Sequence, residues 1–183
     1  MTRQVILAVA LGLAGCGGAG PPAPGTAAAS AGTSSVAPAP AGEDALARVT
    51  VIHGGSGPWV VAGYRMGAYA LGRLGLERQS FDLEVVHHTP QEVQYSCIAD
   101  GAAAATGASA GKLNLRLVDA TEAGVATTYR RKSTGQSVTL RPSAAFVARF
   151  RDVPRDQLAA AGRTVLSLPD ADIFEELPAA PSP

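Results

Sequence analysis

Gly63 and Gly67 lie four residues apart within Trp59 to Leu74, a run whose apolar residues recur at helical spacing. Both fall on one face of a single helix. An interior glycine costs a helix about 1 kcal/mol relative to alanine. Two on one face therefore predict that another backbone, or a ligand, presses against that face. Composition points the same way. The chain is 46% apolar but has only four Phe and one Trp, with Ala and Gly abundant. The expected core is one of closely approaching backbones rather than large side chains.

Around this helix the remaining elements can be read in order. Arg48 to Ile52 reads as a short apolar strand or extended segment, and His53 to Gly57 as a turn. Pro58 suits a first helical turn. Phe81 to His88 reads as a strand ended by Pro90. Ser96 is a suitable cap for a helix from Cys97 to Thr106, with Gly107 at its stop. Leu113, Leu115 and Leu117 alternate with Asn114 and Arg116, the pattern of a half-buried strand. Gly124 to Arg130 and Gln136 to Arg141 give two more strands, joined by a turn at 133–135. Ser143 caps a helix to Phe150, and a second short helix opens at Asp152 and Pro154 and stops at Gly162. The order helix, strand, helix, three strands predicts an α+β fold: a mixed sheet layered with helices, with extra C-terminal helices. The folded domain is placed at 46–177, with a frayed tail at 178–183.

The first 45 residues read as targeting and tether. Arg3 precedes an apolar run, Val5 to Leu13, that is too short to anchor a chain across a bilayer. Leu13-Ala14-Gly15-Cys16 resembles a bacterial lipobox, which implies a lipoprotein signal peptide over 1–16 and lipidation of Cys16. Gly17, rather than Asp, follows it, which favours the outer membrane over the inner. Residues 17–45 form an Ala/Pro/Gly/Ser-rich tether, uncharged up to residue 42. Such a stretch cannot bury enough apolar surface to offset its ordering entropy. The expectation is a periplasm-facing lipoprotein whose partner is the membrane, through the lipid on Cys16.

Fifteen basic and fifteen acidic residues give zero formal net charge. That balance and the scarcity of aromatics exclude the basic, stacking surface that nucleic acid requires. With Cys16 lipidated, Cys97 is the remaining thiol and no intrachain disulfide forms.

Two constellations carry chemistry. Cys97, at a predicted helix start where the dipole favours thiolate, has Asp100 three residues on and on the same face. His53 precedes the first glycine turn, and His87 ends a strand beside His88, the two pointing to opposite faces. Imidazole, thiol and carboxylate together suit a transition metal such as zinc, with His53, Cys97 and His87 as ligands. The second constellation, Gly107-Ala108-Ser109-Ala110-Gly111-Lys112, is one residue short of a phosphate loop and leads into a strand rather than a helix. It leaves a nest of N–H groups with Thr106, Ser109 and Lys112 around a small anion, and Arg65 as a further counter-charge.

These segments resemble the FmdE family, named for a component of formylmethanofuran dehydrogenase, over roughly residues 50–168. The likeness rests on His53, the run Gly63-Tyr64-Arg65-Met66-Gly67, Cys97 with Asp100, and Thr106-Gly107 leading to Gly111-Lys112-Leu113-Asn114-Leu115. The resemblance implies an α+β domain with a mixed sheet, pairing as a homodimer, and metal ligands from a His-x-His-x-Cys-Pro-Gly pattern and a later cysteine. Here Gly55 and Gly57 replace the second His and the Cys, and Ala108 stands where another Cys often sits. The leading expectation is a binding module for a metal or small anionic ligand in a cleft between the two glycine-rich turns. The alternatives are an enzyme using the Cys97 thiolate or metal-activated water, with Cys97 and Asp100 as catalytic groups, and an accessory lipoprotein whose site has decayed.

Overall fold

The structure, a computed structural model, describes residues 41–178. The signal peptide and Cys16, most of the tether and residues 179–183 lie outside that range. The described order is α1 (Ala41–His53), α2 (Pro58–Leu74), β1 (Leu83–Thr89), α3 (Val93–Thr106), β2 (Leu115–Asp119), β3 (Ala126–Arg131), β4 (Ser137–Pro142), α4 (Ala144–Phe150), α5 (Leu158–Ser167), α6 (Asp170–Ile173) and β5 (Phe174–Leu177).

The strands form one sheet, ordered β2-β1-β3-β4-β5. β1 and β2 run parallel, with Val85 opposite Leu115, because the chain returns through helix α3 between them. Every other neighbouring pair is antiparallel. The sheet is therefore mixed, as expected. Strand β1 alternates strictly: Leu83, Val85, His87 and Thr89 are buried, while Glu84, Val86 and His88 are half-buried. Helices α2 and α3 pack on the sheet and on each other.

The α2–α3 contact explains the glycines. A Cβ at Gly63 would lie 2.1 Å from the Ile98 carbonyl oxygen, and one at Gly67 would lie 2.9 Å from the Ala105 Cβ. Gly101 answers from α3, where a Cβ would lie 1.9 Å from the Val60 oxygen. The helices run in the same direction with backbones touching. Above this contact Trp59 makes edge-on contacts with Tyr95 and Phe146, and its Nε1–H donates to the Phe150 carbonyl at 2.9 Å.

Several local expectations are corrected. Residues 48–52 are helical, not extended, and α1 begins at Ala41, so residues 41–45 belong to a helix rather than to the tether. Ala45, Leu46 and Val49 form its buried face, while Arg48 pairs with Asp44 one turn away at 2.8 Å. Helix α3 starts at Val93, with Glu92 at the N-cap position but making no side-chain capping bond, which puts Cys97 in the second turn rather than at the N-terminus. Leu113 is not in a strand: it takes a left-handed conformation (φ 55°) and points outward. Its neighbour Asn114 fixes the turn, accepting from Ser109 N at 3.0 Å and donating to the Leu83 carbonyl at 3.1 Å. Helix α5 runs through Gly162 instead of stopping there; the glycine serves a close approach, since a Cβ at that position would lie 1.8 Å from the Ser56 oxygen. The edge strand β5 has no counterpart in the sequence reading. Ser143 does cap α4, accepting from Phe146 N at 3.1 Å.

Candidate functional site

His53 is the last residue of α1. The chain then bends through Gly54, at φ 80°, into the Gly55-Ser56-Gly57 turn that opens α2. Because α1 packs against α3, this bend brings the imidazole onto the outer face of α3. There His53 Nδ1 meets Asp100 Oδ2 at 2.8 Å. The imidazole is three-quarters buried and the carboxylate about half. With Nδ1–H given to the carboxylate, Nε2 carries the ring's lone pair.

Two adjoining cavities share His53, Val93 and Cys97. One, of about 560 Å3, extends over the Gly54–Gly57 turn toward Arg151 and Arg155. The other, of about 610 Å3, extends between α3 and β2 past Asp100 to Ala110 and Leu117. Together they make a groove with His53 and Cys97 at its middle. One of its ends is the first glycine-rich turn, and it reaches Ala110 in the second.

Cys97 is 8% exposed. Its thiol donates to the Gln94 carbonyl at 3.2 Å. Burial, and secondarily the Asp100 charge, push its pKa up to about 12. Position in the second helical turn removes the dipole assistance expected at an N-terminus. The thiol is thus held protonated at neutral pH, opposite to the activated thiolate that the sequence suggested.

The other expected groups go elsewhere. His87 is fully buried in the sheet. Its Nδ1 is 2.9 Å from Thr127 Oγ1 and its Nε2 is 3.1 Å from the Tyr95 carbonyl oxygen. Both nitrogens have partners, burial pushes its pKa down to about 4, and it lines neither cavity. Arg65 reaches back to the end of α5, donating to the carbonyls of Val165, Leu166 and Leu168 at 3.1, 2.7 and 3.0 Å and pairing with Asp170 at 2.6 Å. It satisfies carbonyls that a helix end leaves without partners. Thr106 Oγ1 donates to the Ala102 carbonyl and accepts from Ala108 N. Ser109 caps the 3-10 turn Ala110–Lys112. Lys112 Nζ donates to the Gly107 and Gln79 carbonyls at 2.9 and 3.3 Å. The second glycine turn is closed by its own side chains, and the expected counter-charges Arg65 and Lys112 do not converge on the groove.

The cations that do line the groove, Arg151 and Arg155, were missed. Arg151 pairs with Glu122; Arg155 has no carboxylate partner among the described residues. Both lie about a hundred residues after His53, and only the packing of α4 and α5 brings them near. Among the described residues no three His, Cys, Asp or Glu side chains converge as a metal-binding cluster, and no helix is long and apolar enough to cross a membrane.

The family model described as FmdE, molybdenum formylmethanofuran dehydrogenase operon, matches residues 52–175. A search of curated proteins returns no match. The matched span begins one residue before His53, encloses the whole groove and covers well over half of the chain, so this protein belongs to the FmdE family.

Proposed function

We propose that this chain is a membrane-tethered, extracytoplasmic FmdE-family domain whose groove takes a transition metal such as zinc together with a small anionic ligand. One observation carries the reading: the 2.8 Å contact between His53 Nδ1 and Asp100 Oδ2. A carboxylate on Nδ1 fixes the tautomer that leaves Nε2 as a donor atom, as outer carboxylates do around metal-bound histidines. Cys97 supplies the second soft donor in the same groove. Imidazole and thiolate suit zinc and its neighbours in the transition series.

Two protein donors leave coordination positions for a ligand. Gly55–Gly57 and Arg155, at the adjoining end of the groove, offer backbone N–H groups and a positive charge to an anion. When bound, the metal would supply Lewis acidity. The chain's own contribution is to orient His53 through Asp100, to shelter Cys97 from water and to set positive charge at one end. Metal capture would have to release the Cys97 proton, so affinity should rise with pH. The tethering half of the proposal is supported by the Leu13-Ala14-Gly15-Cys16 run and the uncharged segment that follows.

Elemental mass spectrometry of the full chain, purified without a metal-binding tag and incubated with zinc, tests the metal. The reading expects near-stoichiometric zinc, reduced about 10–100-fold in affinity by Asp100→Asn and abolished by His53→Ala. No bound zinc in the parent chain would overturn it, and would leave an anion alone as the ligand to be sought at Arg155.

A further inference from the structure

Six large apolar side chains stand exposed among the described residues. Val93 and Leu117 line the groove, and Val51 and Ile52 immediately precede His53. The other two, Phe81 (70% exposed) and Leu113 (92% exposed), belong to two loops at the opposite end of the helix pair. One loop leads from α2 to β1 and the other from α3 to β2. We propose that this end of the domain is a membrane-contact surface that seats on an anionic lipid bilayer. It rests on the tethering reading only for its setting; the surface itself needs no lipid on Cys16.

Three observations support it. First, the two loops are stapled into one tip. Lys112 Nζ donates to Gln79 O in one loop and Gly107 O in the other, and lies 4.9 Å from the centre of the Phe81 ring. Second, Gln79 (φ 70°) and Leu113 (φ 55°) are the non-glycine residues with positive φ among those described. Leu113 is held in a conformation that suits Gly or Asn, with its side chain in water. Within the domain a leucine there gains nothing; at an apolar surface it does. Third, the charge around the tip is positive. Arg78, Lys112 and Lys132 form no ion pair among the described residues, while Asp82 is already held by Arg131 at 3.0 Å and Glu77 is the other carboxylate nearby. Two apolar tips ringed by cations match an interface that is apolar below and anionic at its surface.

The consequence is orientation. Helix α2 is 17 residues long, hence about 25 Å, and the glycine turn of the groove lies at its far end. A domain seated on Phe81 and Leu113 holds the groove's Arg155 end away from the bilayer.

The test uses the full-length chain carrying Cys16→Ser, so that no acyl chain contributes. Vesicles of phosphatidylethanolamine and phosphatidylglycerol should co-sediment it, less so as salt rises. Phe81→Ser combined with Leu113→Asn should lower the partition coefficient by at least about tenfold, with the thermal midpoint kept within about 2 °C. In a Phe81→Trp chain the new indole should shift to the blue on adding vesicles, against a background from Trp59 that stays constant because Trp59 is 4% exposed. Absence of vesicle binding, or binding that leaves that emission unchanged, overturns the proposal. So does a blue shift that appears with rising protein concentration and no lipid, which would assign the tip to a second copy of the chain.

Discussion

Replacing Gly101 with alanine tests how the fold is held together. A glycine-to-alanine change inside a helix normally stabilises it by about 1 kcal/mol. At Gly101 the new Cβ would sit 1.9 Å from the Val60 carbonyl oxygen and 2.6 Å from Tyr64 N, where ordinary contact begins at 3.4 Å. The obstacle is backbone, which cannot rotate aside, so α2 and α3 must separate by roughly the 1.5 Å difference between 3.4 and 1.9 Å. That separation opens the Gly63 and Gly67 contacts too. Overpacking against side chains costs about 1–3 kcal/mol; against backbone the upper end applies, and after the helix-propensity gain of about 1 kcal/mol the net loss is about 2 kcal/mol, or about 6 °C in thermal midpoint. The control is Gly72→Ala. Gly72 lies in α2, is exposed, and has nothing within 4 Å of an added Cβ, so that variant should gain up to about 1 kcal/mol. Circular-dichroism melts and urea titrations of the full chain read both. If Gly101→Ala proves as stable as Gly72→Ala, the helices do not touch at their backbones and the reasoning fails.

Other outcomes follow from single groups. His87 is held neutral in the fold with a pKa near 4, whereas an unfolded histidine titrates near 6.5. Between those values the unfolded chain binds the extra proton, so stability is full above pH 6.5 and falls by about 3 kcal/mol as pH drops toward 4. His87→Gln should flatten that slope in urea titrations run across the range. The Cys97 thiol, buried and pushed up to about 12, should react with an aromatic disulfide reagent at pH 7.5 far more slowly in the native chain than in urea; equal rates would contradict its burial. Cys16→Ser should abolish incorporation of labelled palmitate in a lipoprotein-processing host, and persistent labelling would refute the lipobox reading.

The parts legible in the sequence were those set by local periodicity or by a single steric rule. The Gly63/Gly67 spacing announced a backbone contact, although Gly101 and Gly162, which make contacts as close, were not recognised as partners. The alternation in β1 placed His87 and His88 on opposite faces. What misled was local pattern overridden by distant contacts. Leu113 continued an apolar alternation, yet Asn114, tied to Ser109 and Leu83, forces a turn there. Residues 48–52 looked like a strand because the helix they complete begins at Ala41, inside a stretch read as tether. Of the site, His53, Cys97 and Asp100 came from residue type and spacing. Arg65 and Lys112 stand away from the groove, bonded to carbonyls, and in sequence such a cation looks like one awaiting an anion. Arg151 and Arg155 left no signal, since only the folding of α4 and α5 over the Gly54–Gly57 turn brings them to the groove.

Whether His53 and Cys97 act on one guest is read directly by cobalt(II) titration of the full chain. A thiolate bound to cobalt gives an intense near-ultraviolet charge-transfer band. The expected result is such a band that saturates with the metal, disappears in Cys97→Ser and weakens in Asp100→Asn, where the imidazole loses its orienting carboxylate. Cobalt that binds without the band, or a band unchanged by Asp100→Asn and His53→Ala, would mean that the two side chains do not share a ligand.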